Sequence, residues 1–202
     1  MKQIKLIALA LATASVAACT TSVPTETATR GAPLEAATQQ TASITGDYYA
    51  VQKVNVIVPS KLIVSEADAL YPKADIVWRE DPRGNRHDQV QKIVQDALTA
   101  GAARLTSGTP VVVDVEVTRF HALTEKARYH SATGFQWHDI DFRLTVRDAQ
   151  TGEVLESRKV EAPLRAYAGT RALAAEMQGI TQKSRISQHL SSVIVKELGP
   201  KA

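Results

Sequence analysis

The sequence predicts an α+β fold, in which an antiparallel sheet of about four strands carries two main helices packed on one face. Two observations predict it. Several segments alternate apolar and polar residues, as strands do when one face is buried and the other faces water. Two longer segments repeat apolar residues every three or four positions, as helices do when they bury one stripe. The two patterns together favour a two-layer domain.

The first strand is predicted where Val54, Val56 and Val58 alternate with other residues before Pro59. Residues 60–75 predict irregular structure, and residues 76–78 predict a very short strand. Residues 81–85 read Asp-Pro-Arg-Gly-Asn, which favours a turn because proline presets φ and glycine permits positive φ.

A helix is predicted next, with Asp88 and Gln91 as its capping box. Gly101 is expected to weaken this helix by about 1 kcal/mol relative to alanine. Residues 107–110 read Ser-Gly-Thr-Pro and are expected to end it. The apolar stripe of the helix consists of Val90, Ile93, Val94, Ala97, Leu98, Ala102 and Leu105.

Three further strands are predicted at 111–118, 139–147 and 154–160, the last two joined by a turn at 148–152. Residues 119–137 are interpreted as extending the first two strands into a long hairpin that closes near 131–134. The first of the three strands is expected to lie beside the N-terminal strand. The inward residues are Val111, Val113, Val115, Val117, Ile140, Phe142, Leu144 and Val146.

Two helical segments complete the predicted domain. Residues 171–177 predict a short helix that Gly179 ends. A longer helix is predicted before Gly199 and Pro200, because its apolar residues fall on one stripe. That stripe consists of Ile186, Leu190, Val193, Ile194 and Leu198.

Residues 1–18 read MKQIKLIALALATASVAA and have the organisation of a secretory signal peptide. Lys2 and Lys5 provide the positive start, and a short apolar run and small residues follow. The apolar run is shorter than the roughly 20 residues that a membrane-spanning helix needs.

The segment Val16-Ala17-Ala18-Cys19 resembles the lipobox of bacterial lipoproteins. The resemblance implies cleavage between Ala18 and Cys19, a thioether-linked diacylglyceride on Cys19 and an acylated new N-terminus. Several acyl chains anchor a protein stably where one chain would not. The non-acidic Thr20 implies the periplasmic face of the outer membrane. The alternative is an ordinary signal peptide cut at Ala17 or Ala18, which leaves Cys19 as a free thiol.

Residues 20–46 contain eight threonines and no sustained periodicity, which indicates a flexible tether with a root-mean-square span of roughly 30 Å. The alternative is an extended segment packed along the domain. Residues 47–199 are predicted to form a single globular periplasmic domain.

Charge and cysteine content exclude several classes of function. The chain has 24 basic and 21 acidic residues, and loss of residues 1–18 removes Lys2 and Lys5 and no acid. The near-neutral remainder gives no argument for a nucleic-acid partner. The single cysteine, Cys19, excludes an internal disulfide and a zinc site of the CxxC type.

Catalytic and metal-binding patterns are not found in the sequence. The histidines fit no standard ligand spacing, and His138 and Asp139 would point to opposite faces of a strand. No nucleophile motif, phosphate loop or dinucleotide fingerprint occurs. We therefore expect no enzyme activity, no metal and no cofactor. The histidines, expected mostly as exposed or cross-strand polar residues, are His87, His121, His130, His138 and His189.

Two pairs of residues are candidates for a contact site. Tyr129 and Trp137 would form one if their rings are exposed; the alternative is core packing. Arg83 and Arg86 precede a helix and could bind an anion. Their alternative is a solvated turn paired with nearby carboxylates.

Residues 119–121, Arg-Phe-His, and the hairpin around Thr151 and Gly152 resemble small bacterial envelope lipoproteins of unknown function. The general pattern also resembles auxiliary lipoproteins of envelope transport systems. These resemblances imply a tethered component of an envelope transport or assembly complex, with another envelope protein as partner. The alternatives are a hydrolase acting on cell-envelope material and a purely structural lipoprotein.

Overall fold

The computed structural model describes residues 48–130 and 136–200. The predicted signal peptide, the lipid site at Cys19, the tether and the hairpin closure near 131–134 lie outside these residues. The described residues form six strands and four helices. In chain order these are β1 Tyr49–Ile57, β2 Ile76–Val77, α1 Arg86–Ala102, β3 Thr109–His121, α2 Glu125–His130, β4 Trp137–Asp148, β5 Val154–Glu161, β6 Leu164–Arg165, α3 Thr170–Glu176 and α4 Gln182–Leu198.

The main sheet has the strand order β1-β3-β4-β5, with β2 beside β3 and β6 beside β4. The pairs of β4 with β3, β5 and β6 are antiparallel, whereas β1 and β2 run parallel to β3. The prediction of a wholly antiparallel sheet of about four strands is therefore wrong. The physical reason is α1, which carries the chain back across the sheet so that β3 starts at the same end as β1.

The core lies on one face of the sheet, as predicted. All eight inward residues expected on β3 and β4 are buried, and the apolar stripes of α1 and α4 cover them. The opposite face is polar: Asp114 accepts hydrogen bonds from Asn55 Nδ2 and Arg147 Nε, both at 2.8 Å. One face of the sheet therefore builds the core, and the other faces water.

Helix α1 differs from its prediction at both ends. Its N-cap is Asn85, whose side chain accepts from the backbone N–H groups of His87 and Asp88, and the helix ends before Leu105. Gly101 has a packing role that the sequence pattern did not indicate. A Cβ atom there would lie 2.2 Å from the carbonyl oxygen of Ser191, so the backbone of α4 occupies the space that a side chain at position 101 would need.

The outer edge of β1 is closed by hydrogen bonds from outside the sheet. Gln95 of α1 donates from Nε2 to the Val54 carbonyl at 2.8 Å and accepts at Oε1 from the Val56 N–H at 2.9 Å. The Val51 N–H donates to the carbonyl oxygen of Leu105. These contacts occupy backbone groups that could otherwise pair with a further strand.

The connection between β3 and β4 corrects the predicted hairpin. Both strands are long, reaching His121 and beginning at Trp137, but α2 forms between them. The Thr124 hydroxyl accepts from the Ala127 N–H, and Ala127 is buried. A capped turn with a buried alanine favours a helix there over continued strand pairing. The short helix predicted at 171–177 is confirmed as α3, and the final helix as α4.

Candidate partner-binding groove

An open groove lies where β3 ends and β4 begins, with a volume of about 310 Å³. Apolar side chains form much of it, and three of them are exposed: Tyr71 at 75%, Trp137 at 51% and Leu70 at 39%. Large apolar side chains are normally withdrawn from water, so three around one depression make it a candidate contact surface. We call this surface the β3–β4 groove. It is lined by Leu70, Tyr71, Pro72, Arg119, His121, Ala122, Leu123, Thr124, Ala127, Gln136, Trp137 and Asp139.

The alternation of β4 places Trp137 in this groove. Trp137 and Asp139 face outward, whereas His138 between them and Ile140 after them are buried. Asp139 pairs in register with His121 of β3, so the floor of the groove combines an aromatic ring with polar groups. The predicted opposite orientation of His138 and Asp139 is confirmed.

His121 is held neutral in the groove. Its Nε2 lies 2.5 Å from the Ala74 carbonyl oxygen and its Nδ1 lies 3.1 Å from Arg119 Nη2. Since the carbonyl can only accept and the guanidinium can only donate, the ring proton is at Nε2. Burial and the charge of Arg119 lower the pKa of His121. The ring therefore anchors the loop to the sheet as a neutral group.

The second wall of the groove is the loop before β2, which several bonds fix. The Ala69 carbonyl accepts from the Thr124 hydroxyl, and Asp68 accepts from the Lys126 N–H, both at 2.8 Å. Glu66 accepts from Arg86 Nε and Nη2 at 2.6 and 3.0 Å. These bonds hold the loop wall of the groove in place, as in a preorganised surface.

Arg86 is an internal support of this wall. It is only 4% exposed, and besides Glu66 its guanidinium donates to the carbonyls of Asp81 and Pro82 and to Gln89 Oε1. Its hydrogen bonds lower the pKa of Glu66. Arg83 is exposed, and it lines the same open depression as Arg86. The two arginines proposed together for a contact site therefore share a depression, but Arg86 is buried and Arg83 is exposed.

Tyr129 and Trp137 line two different cavities. Tyr129 lines a separate depression of about 250 Å³ and donates its hydroxyl to Glu176 Oε1 at 2.6 Å. Burial and this hydrogen bond raise the pKa of Tyr129 to about 12. Arg128 Nη2 also reaches Glu176, at 2.6 Å. Leu123 lines both cavities, so the Tyr129 site adjoins the groove without being part of it.

Sequence reasoning missed Leu70 and Tyr71, because residues 60–75 have no periodicity to place them on an element. A leucine and a tyrosine before Pro72 were the available signal. The expectation of exposed histidines is wrong for His138, which is 1% exposed. Neither of its ring nitrogens has a hydrogen-bond partner within residues 48–130 and 136–200. His138 faces the helices because it lies on the same side of β4 as the buried Ile140.

The described residues contain neither a metal-binding cluster nor a membrane-spanning helix. Residues 48–130 and 136–200 contain no group of three or more His, Cys, Asp or Glu side chains arranged to hold a metal ion. Over the same ranges, no helix has both the length and the apolar character needed to cross a membrane.

Comparison with protein families places the chain. The profile of a family described as a family of unknown function (DUF6778) matches residues 49–202. The chain belongs to this family. The DUF6778 segment contains every strand and helix from β1 to α4. No curated protein matches the sequence.

Several solved structures resemble this DUF6778 chain at low identity. XCC0632 from Xanthomonas campestris is 10% identical, covering 75% of this chain and 81% of its own, with a TM-score of 0.43. The PelC dodecamer from Paraburkholderia phytofirmans is 12% identical, covering 77% and 90%, with a TM-score of 0.33. A minor lipoprotein from Acinetobacter baumannii is 16% identical, covering 74% and 97%, with a TM-score of 0.30. At such TM-scores, functional arguments rest on the chain's own residues.

Proposed function

We propose that this protein is a lipid-anchored component of the bacterial envelope that binds another envelope protein in the β3–β4 groove. The groove's exposed Leu70, Tyr71 and Trp137 are the observation that carries the binding role. Tryptophan and tyrosine at the rim and Arg119 in the lining are the residue types that dominate binding energy at protein interfaces.

The shape of the groove favours a polypeptide partner over a small molecule. Small-molecule sites enclose most of their ligand, whereas this groove is open and, at about 310 Å³, holds a few side chains. The sheet edges are less suited to the role, because Gln95 covers β1, and β5 carries the charged Arg158 and Lys159.

The resemblance of residues 16–19 to a lipobox supports the anchor, and the non-acidic Thr20 supports the periplasmic face of the outer membrane. A non-catalytic role is part of the proposal. It is supported by the groove's histidine, which is neutral and bonded at both ring nitrogens.

The binding role is tested in cells by a photocrosslinking residue in place of Tyr71 or Trp137, followed by identification of the captured protein. We expect one dominant envelope protein from both positions. The matched control is Ile57, which is 57% exposed on the polar face of the sheet. Equal capture from position 57, or capture that survives Trp137→Ser with the probe at 71, would contradict the groove.

The anchor is tested separately by mass spectrometry of the mature N-terminus. We expect a cysteine that carries a diacylglyceride and an amide-linked acyl chain, and a Cys19→Ser chain that leaves the membrane fraction. An unmodified N-terminus at residue 18 or 19 would overturn the lipid anchor and leave the groove experiment unaffected.

A further inference from the structure

Helix α3 presents apolar side chains outward as well as inward. Ala172 and Ala175 are buried beneath it, yet Leu173 is 51% exposed and Met177, its C-cap, is 90% exposed. Residues four apart lie on one helix face, so these two side chains stand together, and Ile180 beyond them is 39% exposed. A surface helix normally turns polar residues to water, so this outer face is built to meet something apolar.

Two arginines, Arg171 of α3 and Arg185 of α4, lie over one aromatic ring just before α3. The guanidinium carbons of Arg171 and Arg185 lie 4.0 and 3.5 Å from the ring centroid of Tyr167. Among the described residues, no carboxylate lies within 4 Å of either guanidinium, whereas Arg128 nearby is paired with Glu176. Burial lowers the pKa of Arg185, and the neighbouring charge of Arg171 lowers it further. Two like charges held at one ring favour an anionic partner.

We propose that this surface, defined by Tyr167, Arg171, Leu173, Met177, Ile180 and Arg185 and called the α3 face, contacts the surface of an anionic lipid bilayer. Apolar side chains flanked by arginines are the composition of interfacial membrane-binding helices. The apolar group enters the boundary between headgroups and acyl chains, while the guanidinium groups contact the phosphates.

A bilayer fits the α3 face better than a protein does. A stable protein interface needs about 800 Å² from each partner, and α3 has only seven residues. A bilayer needs no complementary cavity, because it accommodates each apolar side chain separately. The proposed lipid on Cys19 would hold the α3 face near a membrane, and in this one respect the proposal rests on the proposed function.

The test uses the fact that the chain has one cysteine. In the full chain carrying Cys19→Ser, Met177→Cys is labelled with a polarity-sensitive fluorophore and mixed with vesicles of phosphatidylcholine, with or without phosphatidylglycerol. We expect a blue shift with the anionic vesicles. The matched position is Ile57→Cys, which should show none. Because both chains contain residues 1–18, vesicle binding through that segment alone cannot produce the difference.

The contribution of charge is checked with Arg171→Gln, which removes one positive charge and should raise the half-saturating lipid concentration about fivefold, as expected for one arginine near an anionic surface. Arg143→Gln removes the same charge from the exposed polar face and should leave it unchanged. High salt should weaken the binding. No shift at position 177, an equal shift on phosphatidylcholine alone, or crosslinking of Leu173 to a protein in cells would overturn the proposal. Since the Cys19→Ser chain has no cysteine at position 19 to carry a lipid, the result is independent of the anchor.

Discussion

Gly101 shows how one residue limits the distance between two helices. Alanine is the better helix former, by about 1 kcal/mol, but a Cβ at this position would also lie 2.4 Å from Ile194 Cγ2. We expect Gly101→Ala to lower the free energy of unfolding by about 1–3 kcal/mol, the usual cost of overpacking a core. Urea denaturation measures it. Ala100→Ser, on the exposed side of α1, is the control and should change stability by about 0.5 kcal/mol.

His138 makes stability depend on pH. Burial, with the charges of Arg185 and Arg128 and the neighbouring His189, lowers the pKa of His138 to about 3. The unfolded chain, whose histidines titrate at about 6.5, therefore binds more protons than the folded chain between those values. Stability must then fall as the pH drops below about 6.5. The lowered pKa values of His121 and His189 act in the same direction.

We expect His138→Leu to be more stable than the parent chain, because it removes two buried nitrogens that have no hydrogen-bond partner in the part of the chain that the structure describes. The difference in the free energy of unfolding between His138→Leu and the parent chain should grow by about 2 kcal/mol between pH 7.5 and pH 5. The reason is that the unfolded parent chain gains a proton on this histidine over that range. Thermal unfolding at both pH values measures it. His130→Gln changes an exposed ring and should leave the pH dependence of the parent unaltered. A difference that is the same at both pH values would show that His138 is not the linked group.

At the scale of elements, Gln95 connects α1 to the edge of β1 through two hydrogen bonds. Gln95→Glu keeps the acceptor for the Val56 N–H but replaces the donor to the Val54 carbonyl with a second acceptor. We expect this variant to lose about 1–3 kcal/mol and to aggregate more readily, because part of the edge becomes available for pairing. Chemical denaturation and light scattering measure the two effects. Gln91→Glu, one turn earlier and exposed, should show neither.

Sequence pattern predicted the strands that lie in the middle of the sheet and the two main helices. It succeeded there because valines on β3 and apolar residues on β4 must alternate to bury one face. It missed strand direction, because alternation is the same in parallel and antiparallel pairs. It also missed α2, whose six residues have too few apolar positions for a period.

The candidate site was harder to predict than the fold. Trp137 was singled out from sequence, and it lines the groove. Its neighbours there come from a loop without periodicity, and contacts over more than 50 residues of sequence, such as Thr124 to Ala69, place them. Arg86 looks like a surface residue in sequence, since its burial depends on Glu66, 20 residues earlier.

At the scale of the whole molecule, we expect Arg86 to stabilise the loop wall of the β3–β4 groove, although its side chain does not line the groove. Arg86→Gln leaves Glu66 without its two-pronged partner, and the loop carrying Leu70 and Tyr71 loses a support. We expect a loss of about 2–3 kcal/mol, below the cost for a fully buried pair because the Glu66 side chain is 43% exposed. Limited proteolysis should cut within residues 60–72 sooner than in the parent. Arg83→Gln, an exposed neighbour, should keep the parent's cleavage pattern.

The parallel pairing of β1 with β3 has a consequence for the order of folding. A chain that emerges from its N-terminus releases β1 long before Thr109, where β3 begins. The hairpin of β4 and β5 closes through a short turn, so it can form within microseconds once both strands are free. β1 instead remains unpaired until β3 is available, and until then its valines and its backbone hydrogen-bonding groups are exposed. We therefore expect a holding chaperone to recognise residues 49–57 while the chain is unfolded, and its binding to end when β3 becomes available.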